Sequence, residues 1–482
     1  MTSVELPSLL QVLAVLLVLL EILGLILAVD VVYTGRTPQG TVAWAVSLIL
    51  LPMLAVPLYL VFGPRRLYGY VRARRRGSEA INRLGKTCAD ALNAFSPPLD
   101  DRSALEVSGR TLLLPPTTAN RVGLLINGRP TFRAIFDAID HATDYVLVQF
   151  YILRHDKIGR ELESRLLAAR ARGVRIYVLY DGIGSGSLKH LVRSLKGSGC
   201  FVQAFGSSVI SRNRFQLNFR NHRKTVIVHG RRAFVGGLNV GDEYLGASAD
   251  LSPWRDTHVE IEGPAVQAVQ LAFCEDWNWA ADELPKLEWE PRAASGQAPG
   301  QAHNVLVVAS GPADDFETMT LTLLGMISGA RRRVWIASPY FAPPSTILNA
   351  LQLAALRGVD VRILISKKSD NALVNAAMAT YMEDLLPAGI EVRRYRTGFM
   401  HQKVILADEV ACVGTANVDN RSLRINFELS ILVHHLRFAE EVRLMLERDM
   451  AEATSVTPQL MAKRRWYRVF ASRLARLFAP VL

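Results

Sequence analysis

His222 and Lys224 stand two residues apart, and so do His401 and Lys403. In an extended chain alternate side chains share a face, so each pair sets an imidazole beside an ammonium. Each pair is followed by a turn, a second apolar run, two small residues and an asparagine. The first copy reads Gly236-Gly237-x-Asn239 there and the second Gly414-Thr415-x-Asn417. From His to Asn is 17 residues in the first copy and 16 in the second, and a turn absorbs such a difference at least cost. One His-x-Lys is common by chance. Two with the same downstream pattern are a repeat.

The residue types suit phosphoryl transfer. Imidazole, with a pKa of roughly 6.5, attacks when neutral and donates a proton when charged. Two facing imidazoles can divide the work, one attacking and the other protonating the leaving oxygen. Lysine and asparagine add donors where a phosphoryl group gathers charge. The constellation reads as a route through phosphohistidine, with no metal and no cofactor. Two solvated basic strands would not explain the doubling.

The copies resemble the HKD motifs (His-x-Lys-x4-Asp) of the phospholipase D superfamily. The runs Trp254-Arg255-Asp256-Thr257-His258 and Asn426-Phe427-Glu428, with an apolar amino end, are similar to its bacterial cardiolipin synthase branch. The resemblance covers nearly the whole chain. It implies an α/β fold: two similar phospholipase D-like domains as a pseudo-twofold pair, preceded by two transmembrane helices. It also implies condensation of two phosphatidylglycerols to cardiolipin and glycerol at the bacterial inner membrane. By that analogy His222 attacks and His401 is the acid and base, although the symmetry of the motifs leaves the order open. Lys224, Lys403, Asn239 and Asn417 would hold the phosphate. A hydrolase or another phosphatidyltransferase would carry the same motifs. So would a catalytically inactive binder of anionic lipid. A nuclease of the superfamily would need no membrane spans.

The second motif keeps its aspartate, Asp408, which the resemblance counts with the catalytic set; the first has His229 there. His229-Gly230 falls between Val226-Ile227-Val228 and Ala233-Phe234-Val235, where a hairpin must turn and Gly supplies a positive φ. This position is therefore expected to shape the turn and not to touch phosphate. A catalytic His also needs a carboxylate to fix its tautomer. Asp256 lies 34 residues after His222 and Glu428 lies 27 after His401. The resemblance pairs them in that order.

The elements that position these residues follow a repeated rhythm. Helical spacing over 132–142, a strand over 145–152, a helix over 160–172 stopped by Gly173 and a strand over 174–180 form one strand–helix–strand series. It returns as 319–328, 334–338, 347–356 and 359–365. The run Asp181-Gly182-Ile183-Gly184-Ser185-Gly186 lacks the Lys of a phosphate-cradling loop and reads as an ordinary turn. The expected domains are 108–284 and 304–455, joined by a linker over 285–303. A basic connector, 67–107, precedes them.

Among 482 residues half are hydrophobic, and 56 Lys and Arg outnumber 44 Asp and Glu for a net charge of +12. A basic chain suits nucleic acid or an anionic membrane, and the amino end decides for the membrane. Residues 9–29 and 41–62 read as two spans within 1–66, separated by a polar loop from Asp30 to Gly40. Glu21 falls inside the first span, where a charge costs roughly 2.5–3.5 kcal/mol, so it is expected to be packed or protonated. Arg65, Arg66, Arg72, Arg74, Arg75 and Arg76 follow the second span, against Arg36 in the loop, which puts the remainder of the chain in the cytoplasm. Arg212, Arg214, Arg220, Arg223, Arg231 and Arg232 crowd the first motif, where an anionic headgroup would arrive. The end, 456–482, reads as a basic amphipathic helix lying on the membrane. Cys88, Cys200, Cys274 and Cys412 lie far apart and fit a reducing compartment.

Overall fold

A computed structural model describes residues 9–35, 38–63, 79–98, 104–112, 114–186, 188–206, 219–248, 250–296, 301–369 and 371–479. The chain falls into two compact units. The first is made of three apolar helices: α1 (Leu9–Thr34), α2 (Pro38–Leu50) and α3 (Pro52–Phe62). Within α1, Gln11–Thr34 is long and apolar enough to cross a bilayer. Leu27, Ala28 and Val31 of α1 are buried with Leu48 of α2 and Ala55, Val56 and Tyr59 of α3.

Three expectations change here. Asp30 does not open a loop: α1 runs on to Thr34, and Asp30 Oδ2 accepts a hydrogen bond from Tyr59 Oη (3.0 Å). The second span is not one helix. It breaks at Leu51 (φ −134°, ψ 53°), because Pro52 has no N–H to donate and its ring disfavours helical geometry in the residue before it. Glu21 is exposed on α1, so the packing half of that expectation is not met among the described residues, and protonation is untouched by it. The arginines from Arg65 to Arg76, with Arg36, lie outside the described residues, as do Arg212 and Arg214.

The second unit is built on one 15-stranded sheet. Its strands are β1 (Thr117–Ile126), β2 (Tyr145–Phe150), β3 (Arg175–Asp181), β4 (Phe201–Phe205), β5 (Thr225–Val228), β6 (Arg232–Gly236), β7 (Thr257–Glu262), β8 (His303–Ser310), β9 (Arg333–Ala337), β10 (Asp360–Ser366), β11 (Glu391–Tyr395), β12 (Val404–Ala407), β13 (Val410–Gly414), β14 (Glu428–His434) and β15 (Ala453–Ser455). Across the sheet the order is β15-β11-β10-β9-β12-β13-β14-β8-β1-β7-β6-β5-β2-β3-β4. Reading outward from the adjacent β8 and β1, the two halves list their strands in the same order. The halves join at that antiparallel contact, where Asn120 faces His303.

Helices fill matching places. In the second unit α4 (Glu79–Asn93) comes first. Then α5 (Gly128–Asp140), α6 (Lys157–Ala171), α7 (Lys189–Gly197) and α8 (Ala265–Ala281) serve the first half, and α9 (Thr318–Gly329), α10 (Ser345–Leu356), α11 (Ala372–Leu385) and α12 (Leu436–Ala451) the second. Local chemistry sets the boundaries. Asp156 caps α6 by accepting from Gly159 N, and Gly173 (φ 94°) ends its trailing turn. The strands β2, β3 and β4, and likewise β9, β10 and β11, run parallel; the inner ones are mostly apolar and buried, while the outer β4 and β11 carry half-exposed polar residues such as Gln203, Glu391, Arg393 and Arg394. Two apolar cores result, one around Val146, Ile176 and Val226, the other around Ile336, Ile363 and Ile405. All four cysteines are buried and free.

The final helix, α13 (Trp466–Arg476), is stapled to α11. Arg476 pairs with Asp384 (2.7 Å) and stacks over the Tyr381 ring, and Arg464 just before the helix pairs with Glu383 (2.9 Å).

Candidate active site

His222 and Lys224 lead into β5, and His401 and Lys403 lead into β12. Their backbones are fixed across the halves: His222 N donates to Phe427 O (2.9 Å) and His401 N to Arg255 O (2.8 Å). Both imidazoles line one cleft of about 490 Å³, together with Asn239, Asn417, Tyr151, Trp254, Tyr340, Arg220 and Arg421.

The carboxylates are paired opposite to the expected order. His222 Nδ1 meets Glu428 (2.9 and 3.0 Å to its two oxygens), and His401 Nδ1 meets Asp256 Oδ2 (2.8 Å). Each His is oriented by the half that does not carry it. The reason is the sheet order. β7 and β14 flank the central pair β1 and β8, so Asp256, just before β7, and Glu428, which opens β14, come to lie beside the other half's motif. Both carboxylates are fully buried, and burial alone would raise their pKa. The charges and hydrogen bonds of His401 and Lys403 outweigh it for Asp256, and those of His222, Lys224 and Thr415 do so for Glu428, so both are held below the usual range. An ionised carboxylate accepts a hydrogen bond from Nδ1–H, which leaves Nε2 to attack when the ring is neutral and to give a proton when it is charged.

Burial, with repulsion from Lys224 and Lys403, lowers His222 to about 4 in spite of Glu428. Burial likewise takes Lys224 well below its ordinary value. Lys224 Nζ donates to His222 O (2.5 Å), and Lys403 Nζ to His401 O (2.7 Å) while lying 3.1 Å from both ring nitrogens of His401.

The small residues after each hairpin make room for the carboxylates. A Cβ on Gly237 would fall 2.1 Å from Asp256 Oδ1. Its counterpart Thr415 instead donates its hydroxyl to Glu428 Oε2 (2.5 Å). Asn239 takes Ile152 N on its oxygen and gives one amide hydrogen to Tyr244 Oη, and the other has no partner among the described residues. Asn417 is hydrogen-bonded to Asp419, and its Oδ1 has no hydrogen-bond partner among the described residues.

Asp408 stays at the hairpin between β12 and β13, at φ 50°, where it accepts from the backbone N–H groups of Arg331, Arg332 and Arg333. His229 (φ 55°) holds the equivalent turn, with Thr143 N beside its Nε2 (3.1 Å) and Asp144 N beside its Nδ1 (3.3 Å), and it accepts on whichever nitrogen carries the lone pair. The extra residue of the first copy is also there: the loop between paired Val228 and Arg232 has three residues, and that between Ala407 and Val410 has two. The Asp181 loop folds on its own carboxylate, which accepts from Ile183 N and Gly184 N. The crowd of arginines thins. Arg223 forms a buried pair with Asp276, Arg232 pairs with Glu260 and Asp137, and Arg231 approaches Glu288.

The family match Cardiolipin synthase, PLD-like domain covers residues 135–277 and 323–450, and Phospholipase_D-nuclease N-terminal covers 22–64. Cardiolipin synthase A of Pseudomonas aeruginosa (strain UCBPP-PA14) is 45% identical over 481 residues, 98% of this chain and 96% of that one. The chain belongs to the cardiolipin synthase family of the phospholipase D superfamily. Cardiolipin synthase A of Pseudomonas entomophila (strain L48) is 43% identical, covering 96% of this chain and 97% of that one. Phosphatidylserine synthase of Haemophilus influenzae Rd KW20 shares the fold, with a TM-score of 0.58 at 12% identity over 75% of this chain and 95% of that one.

Sequence reasoning missed a second layer in this family member. The residue after each His reaches an aspartate on the helix that closes its half: Arg223 Nη1 donates to Asp276 Oδ2 (3.1 Å) and Gln402 Nε2 to Asp449 Oδ2 (2.9 Å). Arg255 holds Asp449 with two 2.7 Å bonds. The signal was the x of each His-x-Lys, a long polar side chain entering a buried strand.

Proposed function

We infer that this chain is a cardiolipin synthase, a phosphatidyltransferase that joins two phosphatidylglycerols and releases glycerol. The observation that carries the mechanism is the crossed pairing: two imidazoles in one cleft, each with Nδ1 on a buried carboxylate of the opposite half. In this reading Nε2 of His222 attacks the phosphorus of the first lipid. The bond from phosphorus to the glycerol oxygen breaks, and His401 gives that oxygen its proton. A hydroxyl of the second lipid then attacks, passes its proton to His401, and the phosphorus–nitrogen bond breaks. The choice of His222 as nucleophile is by analogy, and its depressed pKa supports it, since a neutral imidazole is the attacking form. Lys224, Lys403 and the spare amide hydrogen of Asn239 would balance charge on the phosphoryl oxygens.

Residues 108–284 and 304–455 would be the two phospholipase D-like domains, related by a pseudo-twofold axis. We place the enzyme in the bacterial cell membrane with these domains in the cytoplasm. α1 would be one span, and α2 with α3, in tandem across the break at Leu51, the second. The arginines after Gly63 support that orientation.

The test uses purified enzyme and phosphatidylglycerol labelled in its phosphate. Acid-labile label should appear on His222, and the products should be cardiolipin and glycerol. Phosphatidic acid as the main product would make the chain a hydrolase, and label on neither histidine would remove the covalent route.

A further inference from the structure

The outward side of α13 is uncovered among the described residues. Trp466, Phe470, Leu474 and Leu477 follow one another at steps of four, four and three, which puts them on one face of the helix and its trailing turn. They are 80%, 64%, 50% and 73% exposed, and Tyr467 and Phe478 widen the stripe. The docked side is different in kind: Ser472, Ala475 and Ala479 are buried, and Arg464 and Arg476 clamp the helix to Glu383 and Asp384 of α11. The helix is therefore held to the fold by small residues and ion pairs, with its large apolar residues turned outward.

Cations rim the stripe. Lys463, Arg465, Arg468 and Arg473 are exposed and have no acidic partner among the described residues. An exposed apolar stripe edged by cations is complementary to a surface that is anionic outside and apolar beneath. A second copy of the chain fits less well, since twofold pairing of this face would bring the same cations together. The aromatic residues at the stripe suit the headgroup layer, where one part of a ring is wet and the other dry.

We propose that α13 is an interfacial anchor whose Trp466–Phe470–Leu474–Leu477 face enters the headgroup layer of an anionic bilayer. The stapled arginines fix the angle between that face and α11. Because α11 contributes Val374 to the catalytic cleft, and Asn371 just before α11 also lines it, the anchor would set how the cleft meets the lipid surface. The inference does not depend on which reaction the cleft performs.

The four native cysteines are buried, so a single surface cysteine can be labelled selectively. Full-length Leu474→Cys, carrying an environment-sensitive fluorophore, is reconstituted into nanodiscs. In discs rich in phosphatidylglycerol, emission should shift to the blue and rise several-fold over the detergent-solubilised, lipid-free sample. Discs of phosphatidylcholine alone should give a smaller change, and added salt should reduce the difference. A label that stays water-exposed in phosphatidylglycerol discs overturns the proposal. So does an equal shift without lipid that grows with protein concentration, which would assign the face to a second copy. Retained turnover of the labelled enzyme checks that α13 is intact.

Discussion

His222 Nδ1 stands 2.9 Å from Glu428 Oε2, although 206 residues of chain separate them. The His222 imidazole of one half is thus oriented by the other half, and the relation is reciprocated by His401 and Asp256. Neither half holds a complete His–carboxylate pair alone. The doubled motif therefore describes one shared site.

That crossing assigns each carboxylate to a step. Asp256→Asn and Glu428→Gln should each lower kcat by about 10²–10⁴-fold, the scale seen when the orienting carboxylate of a catalytic His is neutralised. They should differ toward a phosphodiester with a good leaving group such as 4-nitrophenolate, which needs no proton on departure. With His401 as the acid, Asp256→Asn should recover most of its rate of intermediate formation on that substrate, and Glu428→Gln should not. Recovery in Glu428→Gln instead would mean that the attacking and protonating histidines are exchanged.

The pH dependence follows from His222. Its pKa is depressed by burial and by two lysines to about 4, so it is neutral, and able to attack, well below the ordinary histidine value. The acid limb of kcat/KM should lie nearer pH 4 than 6.5. Lys224→Met removes one of the repelling charges and should move that limb upward, read from kcat/KM profiles. The same shift bears on stability. The unfolded chain takes up protons at roughly pH 6.5, before the folded one does, so the contribution is complete above that pH and is lost as pH falls toward 4. His258 and His303 are also lowered to about 4, mainly by burial, and add in the same direction. Tm should fall steeply between pH 6.5 and 4, and a flat Tm across that window would contradict the burial of these rings.

The hairpin turns should behave as structure. Asp408→Ala removes the acceptor for three backbone N–H groups and should cost about 2–4 kcal/mol of stability while leaving kcat within about twofold. His229→Asp keeps an acceptor at a positive-φ position that Asp tolerates, so its effect should fall on Tm and not on turnover. A large change in kcat at unchanged Tm, in either variant, would return this position to the catalytic set.

Much of the molecule was legible because its signals are local. Spacing and Gly stops gave the repeated strand–helix rhythm, and the 17-against-16 count placed the extra residue in a turn. The partner of each carboxylate was not legible. Asp256 and Glu428 were found by type and distance along the chain, but which ring they face depends on β1 lying beside β8, a contact between strands far apart in sequence. The break at Leu51 was legible in principle, since Pro52 stands within the apolar run, but hydropathy alone joins the two sides of it. Arg223 read as one of the arginines that would meet an anionic headgroup, because it stands in a run of them around the motif. Its burial follows from Asp276 on α8, which no local pattern reveals.

The two halves repeat the His, Lys and Asn of the motif but not the cleft wall, and this asymmetry should be measurable. Two residues before each His the sequence has Arg220 in one copy and Phe399 in the other; four after each Asn it has Glu243 and Arg421. Arg220 and Arg421 both line the cleft. The backbone brings them together, since Phe427 N donates to Arg220 O (2.9 Å) and Asn426 N to Arg421 O (3.0 Å). Burial first, and then the charge of Arg220, lowers the pKa of Arg421, as expected for like charges gathered in one wall. Such a wall attracts an anionic lipid more than it aids a proton transfer. Arg220→Gln and Arg421→Gln should therefore raise KM for phosphatidylglycerol by on the order of 10-fold, the scale of a charge-assisted hydrogen bond, with a smaller effect on kcat. The rise of KM with salt should also flatten, because part of the screened attraction is gone. A loss confined to kcat, with KM and its salt dependence as in the parent enzyme, would place these arginines in the chemical step instead.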